Sequence, residues 1–164
     1  LSGGPFKSRD VKMLSISCDP LESHQAWIKD IEAHTGSTIN FPLIADADRS
    51  IAGSLGMLHP EHLNSEGLPM TVRTVYVVAP DRKLKLSLTY PASTGRNFDE
   101  ILRCIDSLQL TATRSLATPA DWKAGESCMI LPGVSSEDAA RNFPEYKTAE
   151  VPSGKSYIRM TQPK

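Results

Sequence analysis

The alternation of apolar, strand-like runs with amphipathic helical patterns constrains the fold of this chain most. Residues 11–18 are apolar on both faces except for Lys12 and the serines, which is typical of a buried parallel strand. A helix is predicted from Asp19-Pro20 to a stop at Gly36, with an apolar stripe of Leu21, His24, Ile28 and Ile31. A strand at 42–45 and a short helix, capped by Asp48 and ended by Gly56, continue this order.

A hairpin and a third long element follow. Residues 72–79 give the strongest strand pattern, and a turn at 80–83 leads into a second strand over 84–90, whereas 57–70 is interpreted as loop. The next helix carries an apolar face made of Phe98, Ile101, Leu102, Ile105 and Leu108. The order β-α-β-α-β-β-α is typical of an α/β, thioredoxin-like sheet with helices on both sides.

The last third of the chain differs in composition. From Thr113 onward Pro and Gly become frequent and the periodicity fades, with a short helix predicted near 136–142 and a strand near 157–160. We therefore predict a thioredoxin-like domain over residues 1–112 and a C-terminal extension over 113–164.

Charge and hydropathy exclude several classes of function. The 18 basic and 19 acidic side chains leave a formal net charge of −1, which argues against a nucleic-acid partner. No apolar run reaches the roughly 18 residues of a membrane span. No signal-peptide pattern opens the chain, so we expect a cytoplasmic protein. The chain does not begin with Met, and we expect it to start inside a longer natural sequence.

Cysteine and histidine spacing gives little support to a metal site. Cys18, Cys104 and Cys128 are widely spaced, which indicates reduced thiols rather than a disulfide framework or a zinc site. His59 and His62 bracket a Pro-Glu pair, where a metal site is one interpretation and a surface turn is the favoured one. We expect no metal and no bound cofactor.

Arg96 has an unusual position at the start of the third helix. Asn97 is suited to cap this helix, Glu100 stands where it can bond back to the cap, and Gly95 permits the turn before it. Arg96 then lies at the positive end of the helix dipole, where a cation is better explained if an anion or carboxylate is near.

Arg73 is the second unusual cation. Strand alternation places it on the same face as Val75 and Val77, where an unpaired guanidinium costs several kcal/mol unless it bonds a carboxylate, thiolate or ligand. Alternatively, Arg73 lies at the open end of the strand and its head reaches solvent. Spacing alone leaves both interpretations open.

Cys18 is the candidate nucleophile among the three cysteines. It ends a strand just before a helix, whose N-terminal amides lower the pKa of a nearby thiol. It also shares strand parity with Leu14 and Ile16, and we favour the interpretation as a small core residue. Cys104 and Cys128 are interpreted as packing residues.

Several separated sequence blocks are specific in combination. The two main ones are Tyr90-Pro91-x-x-x-Gly95-Arg96-Asn97-x-Asp99-Glu100 and Ala117-Thr118-Pro119-x-x-Trp122-Lys123. Others are Leu14-Ser15-Ile16-Ser17-Cys18-Asp19, with His24 and Trp27, and Phe41-Pro42-Leu43-Ile44-Ala45-Asp46. With these residues the chain resembles a 1-Cys peroxiredoxin of the peroxiredoxin-6-like branch, over essentially its whole length.

The resemblance implies a thiol-dependent peroxidase with a thioredoxin-like fold. Such an enzyme reduces hydrogen peroxide and organic hydroperoxides through a cysteine sulfenic acid, serves antioxidant and redox homeostasis, and forms homodimers. Arg73 matches the family's active-site arginine, which stabilises the thiolate and the transition state; Arg96 matches an arginine that orients an active-site carboxylate. Because this branch lacks a resolving cysteine, an external thiol such as glutathione is the implied reductant.

The chain departs from the family at the nucleophile. The peroxidatic cysteine belongs to a Pro-x-x-x-(Thr/Ser)-x-x-Cys motif, which these 164 residues do not contain. We expect an N-terminal segment to be missing, with residues 1–8 as the end of its helix, and the chain alone to be inactive. Asp81 matches an aspartate assigned to a phospholipase triad in this branch, but a turn residue explains it as well.

A function of another class also fits the sequence. A non-catalytic thioredoxin-fold module would bind a partner or dimerise through the predicted strand 84–90, along which Leu84, Leu86 and Leu88 alternate with polar residues.

Overall fold

In a computed structural model of the chain, residues 4–163 are described and group into two compact units that divide after Asn97. The first unit contains a 3-10 helix (Lys7–Arg9) and the elements β1 (Ser15–Ser17), α1 (Leu21–Thr35), β2 (Leu43–Ala45), α2 (Ser50–Ser54), β3 (Leu58–Leu63), β4 (Pro69–Thr71), β5 (Arg73–Val78) and β6 (Leu84–Tyr90). The second contains α3 (Phe98–Thr113), β7 (Leu116–Ala117), β8 (Cys128–Ile130), α4 (Ser136–Asn142), β9 (Lys147–Thr148) and β10 (Arg159–Thr161). The predicted boundary after residue 112 stays a prediction.

The first strand–helix–strand segment confirms the predicted order but not the predicted strand length. β1 spans three residues rather than 11–18, because its parallel partner β2 is itself only three residues long. The helix α1 ends as predicted, with Gly36 in the left-handed region at φ 66°. Residues 1–8 were predicted to form the last part of a helix. Residues 1–3 lie outside the described part of the chain, and the 3-10 helix begins at Lys7.

The buried carboxylate of Asp46 caps the start of α2, whereas the sequence had predicted Asp48 as the cap. Asp46 is 2% exposed and accepts hydrogen bonds from the amides of Ile51 and Ala52 at 3.1 and 2.7 Å. Asp48 accepts from the amide and the hydroxyl of the first helical residue, Ser50, at 3.1 and 2.9 Å. The amides of the first turn need acceptors, so Asp46 does most of the capping that we had predicted for Asp48.

The prediction of a loop over 57–70 is wrong, because β3 and β4 form an antiparallel hairpin there. The ladder shifts register between His59 and Leu63, which breaks the alternation that a sequence pattern relies on. At the tip, the Asn64 side chain accepts from the amides of Glu66 and Leu68, so it fixes the turn locally.

The hairpin of β5 and β6 confirms the strongest strand prediction. Its register runs from Arg73 opposite Tyr90 to Val78 opposite Leu84. In the turn, the Asp81 carboxylate accepts from the Lys83 amide at 3.0 Å and from the Lys85 ammonium at 2.8 Å. Asp81 therefore acts as a turn residue, and the local bonds account for its presence.

The second unit is built on an antiparallel sheet of order β7-β8-β10-β9. Its buried cluster consists of Leu116, Trp122, Cys128, Ile130 and Ala139. The helix α4 matches the predicted range 136–142, and β10 overlaps the predicted strand near 157–160. Strands of two or three residues carry too little periodicity to be predicted, so β7, β8 and β9 were missed.

A buried arginine ties the last strand to the loop before α4. Arg159 is 6% exposed, and its Nη2 donates to the carbonyls of Leu131 and Val134 at 3.0 and 2.7 Å. Its Nη1 contacts the Ser135 carbonyl at 3.5 Å. Carbonyl oxygens, rather than a carboxylate, thus stabilise this buried charge.

Candidate active site

Arg73 opens β5, and the structure favours the interpretation that its head reaches solvent. The residue is exposed, and its Nε donates to the Ala92 carbonyl at 2.7 Å. This bond holds the guanidinium over the segment 91–97, which leads from β6 towards α3. The Nη donors make no hydrogen bond to any residue in the described range 4–163.

Arg96 lies on that same segment, close enough to Arg73 for the two charges to interact. The residue is exposed overall, yet protein atoms around its guanidinium lower its pKa, and the positive charge of Arg73 lowers that pKa further. Two positive charges that interact in this way repel one another. They are stabilised when an anion lies between them.

Neither arginine has a carboxylate partner in the part of the chain that the structure describes. The ion pairs found there include Lys85 with Asp81, Arg103 with Glu100, and Arg141 with Asp138. Arg73 and Arg96 therefore form a locally cationic site, which we call the arginine pair. Guanidinium groups suit such a site because they keep their charge and offer several donors in a fixed plane.

Glu100, predicted to bond back to the helix cap, binds within its own helix. Its carboxylate accepts from Arg103 Nε and Nη2 at 2.6 and 2.7 Å, and from the Cys104 thiol at 3.2 Å. The helix begins at Phe98, next to the predicted cap Asn97. The capping box itself stays a prediction.

This ion pair predicts a pH dependence of stability. The Arg103 hydrogen bonds, helped by Cys104, hold the pKa of Glu100 at about 2. An unfolded glutamate has a pKa of roughly 4.3. The stabilisation by this ion pair is therefore fully present at pH values above the pKa of the unfolded state. It is lost as the pH falls through the pKa of Glu100 in the folded state.

Replacing Glu100→Gln should remove this part of the acid destabilisation. The side chains are 30% and 38% exposed, so the effect should be only a few tenths of a kcal/mol. Urea unfolding at neutral and acidic pH measures it, with Glu66→Gln in an exposed turn as control. If the difference in unfolding free energy between the two pH values is the same in Glu100→Gln as in the wild type, the ion pair contributes nothing to the pH dependence of stability.

The three cysteines do not have the surroundings of a reactive thiolate. Burial raises the pKa of Cys18, and Arg49 offsets this only in part, while Asp46 and Asp19 raise it further. Burial and the Glu100 carboxylate raise the pKa of Cys104. Cys128 is fully buried, which raises its pKa too. Thiols with raised pKa values are poor nucleophiles at neutral pH.

Sequence reasoning missed a polar cluster at the end of β1. The Ser17 hydroxyl donates to Asp19 Oδ2 at 2.6 Å and lies 2.8 Å from Nε2 of His24, which is 2% exposed. Because the single hydroxyl proton goes to Asp19, His24 Nε2 must be the donor in its own contact. His24 therefore does not act as a base towards Ser17, and the cluster fastens β1 to α1.

The histidines on β3 stack, with ring centroids 4.1 Å apart. His59 Nδ1 accepts from the Glu61 amide at 3.2 Å. Both histidines lie on β3, so the surface turn that we had favoured for them is wrong. Within residues 4–163, no group of three or more His, Cys, Asp or Glu side chains is arranged to hold a metal ion. None of the helices described is both long and apolar enough to cross a membrane.

Comparisons with known proteins decide the family. Residues 3–87 match the profile of the AhpC/TSA family, and residues 107–145 match the C-terminal domain of 1-Cys peroxiredoxin. Peroxiredoxin-6 of Gallus gallus is 51% identical over 161 residues, which are 95% of this chain and 72% of that protein. The chain belongs to the peroxiredoxin family.

Other relatives support the same assignment. The 1-Cys peroxiredoxin of Dirofilaria immitis is 46% identical to this peroxiredoxin, over 94% of the chain and 72% of that protein. A crystal structure of a Cys-to-Ser mutant of peroxiredoxin 6 from Arenicola marina superposes with a TM-score of 0.94 at 50% identity, covering 98% of this chain and 74% of that one. The predicted α/β, thioredoxin-like fold is thereby confirmed.

The family assignment also settles the general activity. Peroxiredoxins are thiol-dependent peroxidases, so the protein is an oxidoreductase of that class. The matches cover 95% of this chain, and they do not support the expectation that an N-terminal segment is lacking.

Proposed function

We propose that this peroxiredoxin reduces hydrogen peroxide and organic hydroperoxides by way of a cysteine sulfenic acid, in antioxidant and redox homeostasis. The thiolate sulfur attacks one peroxide oxygen, the S–O bond forms, and the O–O bond breaks. Sulfur loses two electrons to the departing oxygen, which takes up a proton and leaves as water or an alcohol. The observation that carries this proposal is the arginine pair, because the reaction needs positive charge at both the thiolate and the leaving oxygen.

The two arginines have different proposed roles. The Nη donors of Arg73 make no hydrogen bond to residues 4–163, so they are available to a thiolate and to a peroxide oxygen. They lower the pKa of the thiol and stabilise the charge of the transition state. Arg96 supports the site by orienting an active-site carboxylate, and its charge adds to the positive potential at Arg73.

The nucleophile is proposed to lie outside these 164 residues. The Pro-x-x-x-(Thr/Ser)-x-x-Cys motif does not occur in them, and all three thiols have raised pKa values. In the absence of a low-pKa thiol, attack on peroxide at neutral pH is slow.

Trapping of the sulfenic acid tests this assignment. The protein is treated with one equivalent of hydrogen peroxide in the presence of dimedone, and labelled peptides are located by mass spectrometry. We expect no rapid label on Cys18, Cys104 or Cys128. Stoichiometric labelling of Cys18 within the first turnover would place the nucleophile inside the chain instead.

An external thiol such as glutathione is the proposed reductant, with no prosthetic group. This proposal is supported by a solved structure of a yeast mitochondrial 1-Cys peroxiredoxin, which is 35% identical to this chain and superposes with a TM-score of 0.83. That structure concerns the mechanism by which glutathione and thioredoxin systems resolve the thiol of the yeast protein. A buried Cys128 and a hydrogen-bonded Cys104 are poorly placed to resolve a sulfenic acid themselves. We also propose a cytoplasmic location.

We propose that the protein forms a homodimer through β6. In the alternative, non-catalytic function, the same strand would serve as a surface for binding a partner. In the described residues β6 pairs only with β5, so its other edge has free backbone donors and acceptors. We expect Leu84→Lys, at a position 55% exposed, to weaken dimerisation in analytical ultracentrifugation. Leu131→Lys, at a residue 40% exposed in the second unit, is the control; equal sedimentation of all three proteins would argue against this surface.

A further inference from the structure

Met70 is the most exposed of the five methionines in this chain. Its side chain is 44% exposed on β4, whereas Met57 is buried at 8%. The remaining three are half-buried: Met13, Met129 and Met160. A thioether sulfur is oxidised by peroxide when peroxide reaches it, so exposure favours Met70 as the first methionine to react.

A histidine lies opposite Met70 on the neighbouring strand. In the register of the β3–β4 hairpin, His59 pairs with Met70. Directly opposite residues in an antiparallel pair have their side chains on one face of the sheet, with Cβ atoms about 5 Å apart. The imidazole of His59 is therefore a cross-strand neighbour of the Met70 thioether.

The hydrogen bond at His59 determines which ring nitrogen carries the proton. Nδ1 accepts from the Glu61 amide at 3.2 Å, so the proton of the neutral ring is on Nε2. This Nε2–H group makes no hydrogen bond to a residue within 4–163. The stack on His62, with ring centroids 4.1 Å apart, orients the imidazole. His59 thus offers a free donor beside a nucleophilic sulfur.

We propose that Met70 is a modification site at which hydrogen peroxide forms methionine sulfoxide, with His59 Nε2–H as the donor to the reacting oxygens. The sulfur attacks one peroxide oxygen, the S–O bond forms and the O–O bond breaks, so sulfur loses two electrons. The proton on the attached oxygen passes through solvent to the departing oxygen, which leaves as water. The hydrogen bond from His59 stabilises the charge that develops on oxygen in this step.

The backbone around Met70 is held without its side chain. The Pro69 carbonyl accepts from Arg49 Nε at 3.0 Å, and the Val72 amide donates to the Met57 carbonyl at 2.8 Å. These bonds lie on either side of Met70 and involve none of its atoms. A polar oxygen added to its exposed side chain breaks neither bond, so the modification leaves the hairpin intact.

Peptide mapping by mass spectrometry tests the order in which the methionines react. The 164-residue protein is treated with excess hydrogen peroxide, and sulfoxide at each methionine is quantified against time. We expect Met70 to react first and several-fold faster than Met57. In the control, the urea-unfolded protein, all five should react at similar rates because the fold no longer protects any of them. A faster reaction at another methionine, or the same preference in urea, would overturn the proposal.

Replacements of His59 test its role as donor. His59→Phe keeps an aromatic ring for the stack on His62 but has no N–H group, and it should slow sulfoxide formation at Met70 by about fivefold, as loss of one hydrogen bond does. His59→Gln retains a donor and should react nearly as fast as the wild type. His34→Phe, at an exposed position of α1, is the matched control and should have no effect. Equal rates at Met70 in all four proteins would refute the role of His59.

Urea unfolding of protein that carries one sulfoxide at Met70 tests whether the hairpin stays intact. We expect the midpoint of the unoxidised protein, and a clearly lower midpoint would contradict this part of the proposal. Peroxide-treated Met70→Leu, which lacks the site, is the control. None of these outcomes depends on the proposed peroxidase chemistry, because oxidation of the thioether needs no cysteine.

Discussion

Replacing Arg73→Gln should lower kcat/KM for hydrogen peroxide by roughly 10²–10³-fold, the usual effect of removing a donor that stabilises developing charge. The exposed Nη groups of Arg73 are the donors available at this edge of β5. Glutamine keeps a polar head but loses the charge that holds a thiolate and stabilises the leaving oxygen. The measurement uses a chimaera that joins these 164 residues to the part of Arenicola marina peroxiredoxin 6 that they do not cover.

The control for this prediction lies in the same hairpin. Arg82→Gln removes an equal charge from the far turn, where Arg82 is exposed. It should change kcat/KM by less than about threefold, because exposed charges are screened over such distances. Equal effects of the two replacements would mean that Arg73 acts through overall charge and does not contact the reacting atoms.

The second large effect concerns stability. Arg159→Met should lower the free energy of unfolding by roughly 3 kcal/mol, since it removes hydrogen bonds from a charged donor and leaves three part-buried carbonyl oxygens without it. Methionine keeps the apolar stem, so most of the loss is polar rather than a cavity. Urea unfolding, followed by fluorescence of Trp122 in the core of the second unit, measures it.

Arg141→Met provides the matched comparison in the same unit. Arg141 pairs with Asp138 on α4, but its side chain is 66% exposed. An exposed pair contributes about 0–1 kcal/mol, so this variant should be nearly as stable as the wild type. Similar losses of unfolding free energy in the two variants would show that the hydrogen bonds from Arg159 to the carbonyl groups contribute no more than an exposed ion pair.

Local patterns predicted the long elements of this fold. α1, α3 and the β5–β6 hairpin carry a full period of apolar residues, and their predicted ranges match the structure closely. The β3–β4 hairpin was missed because its register shift and its prolines disrupt alternation. The short strands of the second unit depend on pairing with residues distant in sequence, which no local pattern reports.

The candidate site shows the same limit. Sequence spacing identified Arg73 as an unusual cation, but it did not show whether the side chain is buried. Its burial depends on where β5 begins. The structure places Arg73 at its first residue. Arg159 gave no signal in the sequence, since its acceptors lie 24 to 28 residues away. Asp46 was noted in the sequence only as the last residue of a block that matches the family, and its burial and amide bonds show its capping role.

Peroxide consumption by the exact 164-residue polypeptide, with glutathione as reductant, tests the central claim most directly. We predict no turnover above the rate of free thiol, while the chimaera turns over and loses activity in Arg73→Gln. The three cysteines of the chain have raised pKa values, so we expect none of them to act as the peroxidatic nucleophile. Turnover by the 164-residue chain that Cys18→Ser abolishes would contradict the account.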